Sequence, residues 1–172
     1  MSSRAVTVGA LAALLAGCQG PLALDERWRP LVEVVERPDL LFGGVTATTL
    51  GTRVYVPDLG AFRRQFPADS VEQEALLLHE REHAVRQLDA GLGPWLARYL
   101  NDRAFMWQEE QRGWFLQLKR LQAAGQPLHP EAIALALSGY RNLSGPMVGY
   151  AEALAWVDAV LAGRWTPGAP DG

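Results

Sequence analysis

Residues 71–90 contain neither glycine nor proline, and this uninterrupted stretch constrains the fold more than any other feature of the chain. Ser70 fits the first residue of a helix capping box, and Gly91 is a residue type that commonly ends helices. We therefore predict one long helix between them. His79 and His83 are four residues apart within it, so their imidazoles project from the same helix face.

A carboxylate directly follows the first of these histidines, in the run His79-Glu80-Arg81-Glu82-His83. Two imidazoles on one face can bind a single metal ion, and Glu80 lies about 100° further round the helix. From there its carboxylate can reach a water on the metal without itself being a ligand. The spacing therefore predicts a Zn²⁺ site, with His79 and His83 as ligands and Glu80 as the general base of a hydrolytic reaction.

A catalytic zinc ion needs a third protein ligand and keeps one position open. Asp89, six residues after His83, fits one standard spacing, in which a glycine at position 86 turns the chain. Arg86 stands there instead, so the helix should continue and direct Asp89 about 120° away from His83. The third ligand is therefore expected from a second helix, predicted to run from Asp102 to Ala124.

Two adjacent glutamates on that second helix are the candidates for the third ligand. Glu110 shares a stripe with the large apolar residues Trp107, Trp114, Leu118 and Leu121. A carboxylate in such a row must be paired, protonated or bound to a metal. Gly113 would allow the two helices to approach closely. We favour Glu110 as the ligand, and Glu109, on the neighbouring stripe, is the alternative.

With these residues, the chain between about positions 44 and 121 resembles the zincin-like metallopeptidases in their small, gluzincin-type form. The resemblance implies that His79, His83 and Glu110 bind zinc and that Glu80 is the catalytic base. It also implies that Arg53–Val56 is the edge strand that aligns a peptide or protein substrate.

The charged residues between the two histidines depart from the pattern of that family, whose members usually carry uncharged residues there. Glu82 and Arg86 have the spacing of a surface ion pair on one helix, so we expect them to pair. Peptide hydrolysis also needs a hydrogen-bond donor for the oxyanion besides the metal. Tyr140, Arg141 and Tyr150 are candidates among which the sequence does not choose.

The N-terminal residues resemble a bacterial lipoprotein signal. Arg4 precedes an uncharged, apolar stretch over residues 5–17, and this stretch ends in Leu15-Ala16-Gly17-Cys18, which is similar to a lipobox. The resemblance implies cleavage before Cys18 and acylation of Cys18, which suffices for membrane anchoring. Because Gln19 is not the aspartate of inner-membrane lipoproteins, the outer membrane, facing the periplasm, is the expected location in the cell envelope.

The rest of the chain reads as one α+β domain, with a small N-terminal sheet followed by a helical majority and the histidine pair on a central helix. We predict a signal peptide over 1–17, a lipidated tether over 18–23, the zincin-like domain over 24–165 and a disordered tail over 166–172. Strands are expected at 31–35, 45–49 and 53–56, a turn at 57–60, and further helices at 94–100, 102–124, 130–137 and 147–162. An amphipathic helix over 25–35 is the alternative to the first strand.

Composition limits the classes of partner. The net charge is −3 and no basic run occurs, which argues against nucleic acid as a partner. The expected partners are a peptide or protein substrate and, through Cys18, a membrane. Two other functions stay open: an inactive zincin-like lipoprotein that serves as an envelope binding or scaffold module, and metal-dependent hydrolysis of a non-peptide substrate.

Overall fold

The computed structural model describes residues 22–23, 26–40 and 47–168. The expected signal peptide, the acylation site Cys18 and residues 45–46 of one expected strand lie outside the described residues, as do residues 169–172 of the expected tail. The described part is an α+β structure in which a small N-terminal sheet precedes a helical majority, so the predicted fold class is confirmed at that level.

Six strands and six α-helices, besides short 3₁₀ turns, form the regular structure of the described residues. The strands are β1 (Leu22–Ala23), β2 (Glu33–Glu36), β3 (Thr48–Leu50), β4 (Arg53–Val56), β5 (Arg141–Asn142) and β6 (Gly145–Pro146). The helices are α1 (Leu59–Gln65), α2 (Val71–Ala90), α3 (Leu92–Asn101), α4 (Arg103–Ala123), α5 (Pro130–Ser138) and α6 (Tyr150–Leu161).

The larger sheet has the strand order β1-β2-β4-β3. Strand β4 is parallel to β2 on one side and antiparallel to β3 on the other. The expectation that Arg53–Val56 is an edge strand is therefore wrong, because β3 occupies that edge. Three consecutive residues of β4, Val54, Tyr55 and Val56, are buried, which is the pattern of an interior strand rather than of an edge.

Helix α2 begins and ends where the sequence predicts. The Ser70 hydroxyl accepts a hydrogen bond from the Gln73 backbone N–H at 3.1 Å, and Gly91 ends the helix with φ of +81°. Leu77 and Ala84 on its apolar side belong to one hydrophobic core with the sheet residues Val34, Val54 and Val56. Packing against the sheet therefore fixes which face of α2 points away from the sheet.

Helix α4 connects this first core to a second one. The Asp102 carboxylate caps its start by accepting hydrogen bonds from the backbone of Ala104 and Phe105 at 2.9 and 3.1 Å. The second core contains Met106 and Leu118 of α4 together with residues of α5 and α6. Helices α2 and α4 pack against each other between the two cores. In the described part of the chain, no helix is both long and apolar enough to cross a bilayer.

Helices α1, α3 and α6 begin at positions that the sequence does not predict. Residues 59–60 begin helix α1 instead of forming a turn, since the Asp58 carboxylate caps the Ala61 N–H at 2.6 Å. Helix α3 begins at Leu92 rather than at Pro94. Helix α6 begins at Tyr150 rather than at position 147, because the chain before it forms the β5–β6 hairpin.

The segment that contains β2 is extended rather than helical, which confirms the first of the two expectations for it. Strand β2 covers Glu33–Glu36, and a single 3₁₀ turn, Glu26–Trp28, lies within the segment for which a helix was the alternative. Parallel pairing of Val34 with Val54 and of Glu36 with Val56 explains the preference, because an extended backbone supplies hydrogen bonds to β4.

Candidate metal centre

His79 and His83 of α2 and Glu110 of α4 meet where these two helices pack. The two Nε2 atoms are 3.0 Å apart, and each lies close to a different oxygen of Glu110. His79 Nε2 is 3.5 Å from Oε2, and His83 Nε2 is 3.4 Å from Oε1. All three side chains are buried, and one donor atom from each lies within 4.8 Å of the other two.

This donor set fits a zinc ion. Tetrahedral zinc with ligands at about 2.0–2.2 Å separates neighbouring ligand atoms by about 3.3–3.5 Å, which is close to the distances found. Glu110 Oε2 and His83 Nδ1 are buried with no hydrogen-bond partner among the residues that the structure describes. A carboxylate oxygen without a donor is costly in a protein interior unless a cation satisfies it. Two imidazoles and one carboxylate are also ligands that zinc commonly takes.

Gly113 and Gln117 of α4 fix the ring of His79. A Cβ on Gly113 would lie 2.5 Å from His79 Cδ2 and 2.7 Å from Nε2, so only glycine leaves room for this ring position. On the other side of the ring, Nδ1 is 3.1 Å from Gln117 Oε1. Because that oxygen only accepts, Nδ1 is the donor, and in the neutral ring Nε2 keeps its lone pair towards the other two side chains.

Tyr99 of α3 holds the carboxylate of Glu110. Its hydroxyl donates to Oε1 with an oxygen separation of 2.5 Å. Burial opposes ionisation of Glu110, but hydrogen bonds and charge from His79 and His83 outweigh it and hold the pKa of Glu110 well below its usual range. Burial and the Glu110 charge both raise the pKa of Tyr99, so the phenol keeps its proton and remains a donor.

The pKa of His83 reflects strong electrostatic interactions around the triad of His79, His83 and Glu110. Burial lowers this pKa, but the hydrogen bond and charge of Glu110, with the charges of Glu80 and Glu109, raise it from 6.5 to about 9. In the metal-free protein His83 is therefore the imidazolium partner of Glu110 at neutral pH. A metal ion must displace that proton.

Glu109 lies next to Glu110 but has other partners. Arg86 Nε is 2.6 and 2.8 Å from its two oxygens, and Trp95 Nε1 donates to Oε2 at 3.0 Å. Glu109 is fully buried, so these donors compensate its charge. The expected surface pairing of Arg86 with Glu82 is replaced by this contact between α2 and α4, because a buried carboxylate attracts a guanidinium more strongly than an exposed one does.

Glu80 lies beside the triad and is held from the sheet. The Thr49 hydroxyl of the edge strand β3 donates to Glu80 Oε2 at 2.7 Å. Two turns further along α2, the Gln87 amide donates to the Thr49 carbonyl at 2.9 Å and accepts from the Gly51 N–H at 2.7 Å. The charge of Glu80 contributes to the raised pKa of both His83 and Tyr140, so it acts on the site electrostatically.

The other residues considered for the site differ in how far they are exposed to solvent. Asp89, which the sequence disfavours as a ligand, is exposed. The third histidine of the chain, His129, is exposed as well and precedes helix α5. Arg141 and Tyr150 are exposed as well, whereas Tyr140 has a phenol whose pKa is raised by burial and by the charges of Glu110 and Glu80. Of the three expected oxyanion donors, Tyr140 is thus the one that is not exposed.

Sequence reasoning missed the polar side chains that support the triad: Thr49, Gln87, Tyr99 and Gln117. Tyr99 had a usable signal, since it follows Trp95 by four residues on the short helix after the histidine pair, where both rings face one side. Thr49 and Gln87 had none, because their contact joins residues 38 positions apart in the chain.

A groove of about 660 Å³ lies elsewhere, between the start of α4 and the start of α6. Its lining includes Arg103, Trp107, Met147 and Glu152 but none of the three clustered side chains.

Comparisons of the chain with models of protein families, with curated proteins and with solved structures give no match.

Proposed function

We propose that this protein is a zinc-dependent hydrolase, and specifically a zincin-like metallopeptidase of gluzincin type. The observation that carries the proposal is the convergence of His79, His83 and Glu110 with an unsatisfied carboxylate oxygen among them. Two imidazole nitrogens 3.0 Å apart repel unless a proton or a cation lies between them. A zinc ion held by all three side chains would also satisfy Glu110 Oε2, which a proton on His83 leaves without a hydrogen bond.

The chain's own residues divide the work of hydrolysis. His79, His83 and Glu110 would hold a zinc ion, which would supply Lewis acidity and lower the pKa of the attacking water towards neutrality. Glu80 accepts the proton of the attacking water and returns it to the leaving amine. The Thr49 hydroxyl fixes one Glu80 oxygen, which leaves the other for this proton transfer. Tyr140 keeps its proton and donates to the oxyanion.

The edge strand β3 supports a peptide as the substrate. In the described residues it pairs with β4 on one side only, so its other edge can align an extended peptide. Thr49 belongs to this strand and touches Glu80, which brings the alignment surface next to the base. The Cys18 signal would anchor the enzyme to the outer membrane, where it would act on peptides or proteins of the periplasm.

Metal content and hydrolysis, measured on the same preparations, test the proposal. Wild-type protein should hold about one zinc ion per chain, and His79→Ala should lose it. Glu80→Gln should keep the zinc and lose about 10²–10⁴-fold in the rate of hydrolysis of a peptide library. His129→Ala, at the exposed third histidine, is the matched control and should change neither quantity. Unchanged zinc in His79→Ala would reject the site.

One observation favours a second function, that of an inactive zincin-like module for envelope binding or scaffolding. The side chains of the site are closed off from solvent: His79, Glu80, His83 and Glu110 are at most 6% exposed. The described groove, in addition, lies apart from them. In the test above, such a module would keep its zinc. The wild-type protein would show no peptide hydrolysis, so Glu80→Gln would have no activity to remove.

A further inference from the structure

Tyr99 is held in place by aromatic packing on two sides. Its ring stacks on Trp95 of the same helix, with centroids 4.6 Å apart and planes inclined by 15°. The ring also meets the His83 imidazole edge to face at 6.3 Å. These contacts need no metal ion, so the hydroxyl is directed at Glu110 before any ligand binds.

The two oxygens of Glu110 have different surroundings. Oε1 accepts the Tyr99 hydroxyl, so part of its bonding capacity is used. Oε2 is buried and has no hydrogen-bond partner among the described residues. The oxygen with unused lone pairs is the one that a cation stabilises most, because its contact with His79 Nε2, at 3.5 Å, is longer than an ordinary hydrogen bond.

We propose that Tyr99 is a positioning residue that restricts Glu110 to binding the metal through Oε2 alone. The inference rests on the metal site of the proposed function. Carboxylates bind metals through one or both oxygens, and the second oxygen takes a further coordination position. A hydrolytic zinc site must keep one position open for water or substrate. By holding Oε1, Tyr99 keeps that position open.

Residues of α3 and α2 prevent Glu109 from taking the place of Glu110 as the metal ligand. Trp95, one turn before Tyr99, donates to Glu109, and Arg86 holds both oxygens of Glu109. Glu109 therefore cannot rotate towards the histidines without leaving the partly buried Arg86 guanidinium without its carboxylate. Trp95 and Tyr99, one turn apart on α3, thus hold two adjacent glutamates: Trp95 donates to Glu109 and Tyr99 donates to Glu110.

The test compares purified full-length wild-type protein with Tyr99→Phe, which removes the hydroxyl and keeps the ring. Zinc affinity is measured by competition with a chelator, and coordination number by the visible spectrum of the Co²⁺-loaded protein. Tyr99→Phe should weaken zinc binding about 10–100-fold, as expected when a hydrogen bond to a metal-ligating side chain is lost. Its Co²⁺ spectrum should change from four-coordinate to the weaker absorption of a five-coordinate ion. Tyr150→Phe, at an exposed tyrosine, should change neither.

Each other outcome overturns the proposal in a recognisable way. An unchanged Co²⁺ spectrum in Tyr99→Phe, with or without weaker binding, would reduce Tyr99 to a structural role and leave the metallopeptidase intact. If the variant does not fold, the wild-type spectrum decides alone: four-coordinate supports the proposal and five-coordinate overturns it. A wild-type protein that binds neither ion would remove the metal site and, with it, the role of Tyr99.

Discussion

Gly113 is the residue at which the smallest change should disturb the site most. The ring of His79 occupies the space that a side chain at position 113 would need, with Cδ2 only 2.5 Å from an added Cβ. We predict that Gly113→Ala displaces the imidazole and weakens zinc binding by at least about 10-fold, measured by chelator competition.

Gly93 provides the matched control for this substitution. It also lies in a helix, but a Cβ there would meet nothing within 4 Å. Gly93→Ala should therefore leave zinc affinity unchanged and stabilise α3 slightly, since alanine favours a helix more than glycine does. Equal zinc affinities for Gly113→Ala and the wild type would show that the His79 ring is not a ligand in this position.

The charge on His83 should make the stability of the metal-free protein depend on pH. Its pKa is raised from 6.5 to about 9 on folding, mainly by Glu110 acting against burial. A raised pKa stabilises the fold fully below the unfolded value, and this contribution is lost as pH rises through the folded value. The free energy of unfolding of chelator-treated protein should therefore fall between pH 6.5 and about 9.

Denaturant titrations across this pH range measure the effect, with His83→Gln as the comparison. The variant cannot take up the proton, so its profile should be flatter in the same window. Zinc should remove the fall, because metal binding requires the deprotonated imidazole. A metal-free wild type that gains stability over this range would contradict the pairing of His83 with Glu110.

The choice between adjacent glutamates shows what the sequence can establish at single residues. The stripe of large apolar residues around Glu110 predicts that its carboxylate is buried, and the structure places it beside both histidines. Burial does not distinguish it from Glu109, which is buried too. The distinction comes from Arg86, whose reach across the helix interface depends on how α2 and α4 are rotated. Local spacing in the sequence does not contain that rotation.

The contact between Arg86 and Glu109 joins helices α2 and α4 through a fully buried carboxylate and an arginine side chain that is 25% exposed. We predict that Arg86→Met lowers the free energy of unfolding by about 3–5 kcal/mol, because it leaves a buried carboxylate without its cation. Urea unfolding of the metal-free protein measures this loss without any contribution from zinc.

The double variant Arg86→Met with Glu109→Leu separates lost pairing from lost packing. Replacing both charges with apolar side chains removes the unpaired carboxylate, so most of the lost stability should return. If the single variant loses less than about 1 kcal/mol, the pair behaves as an exposed one, and its role in joining the helices is wrong.

Elements with a capping residue and a clear end are those that the sequence predicts well. Helices α2 and α4 follow Ser70 and Asp102, whose side chains cap them, and both end before a glycine. The strand order is different, because the position of β4 between β2 and β3 depends on pairing between segments distant in sequence. The edge strand next to the site was therefore misassigned, although the bounds of β4 were predicted.

At the scale of the whole molecule, the site lies between two hydrophobic cores. One core joins α2 to the sheet, the other joins α4 to α5 and α6, and the triad spans the helix interface between them. A metal ion there would connect two halves that otherwise share mainly helix packing. Zinc should accordingly stabilise the molecule as a whole by mass action, in proportion to its affinity.

The lipoprotein signal that the sequence predicts can be tested separately on the whole chain. In a bacterial host, the mature protein should begin at Cys18 and carry acyl chains, which mass spectrometry of its N-terminal peptide detects. Cys18→Ala should yield no acylated peptide. A wild-type chain with residues 1–17 still attached, or with a free Cys18 thiol, would contradict the lipoprotein assignment and leave the metal site unaffected.

The most direct test of the central claim is a crystal structure of the zinc-loaded protein with anomalous diffraction data recorded at the zinc absorption edge. We predict a single strong anomalous peak between α2 and α4, about 2.0–2.2 Å from His79 Nε2, His83 Nε2 and Glu110 Oε2. A peak elsewhere on the chain, or two imidazoles that point apart with no peak between them, would contradict the account.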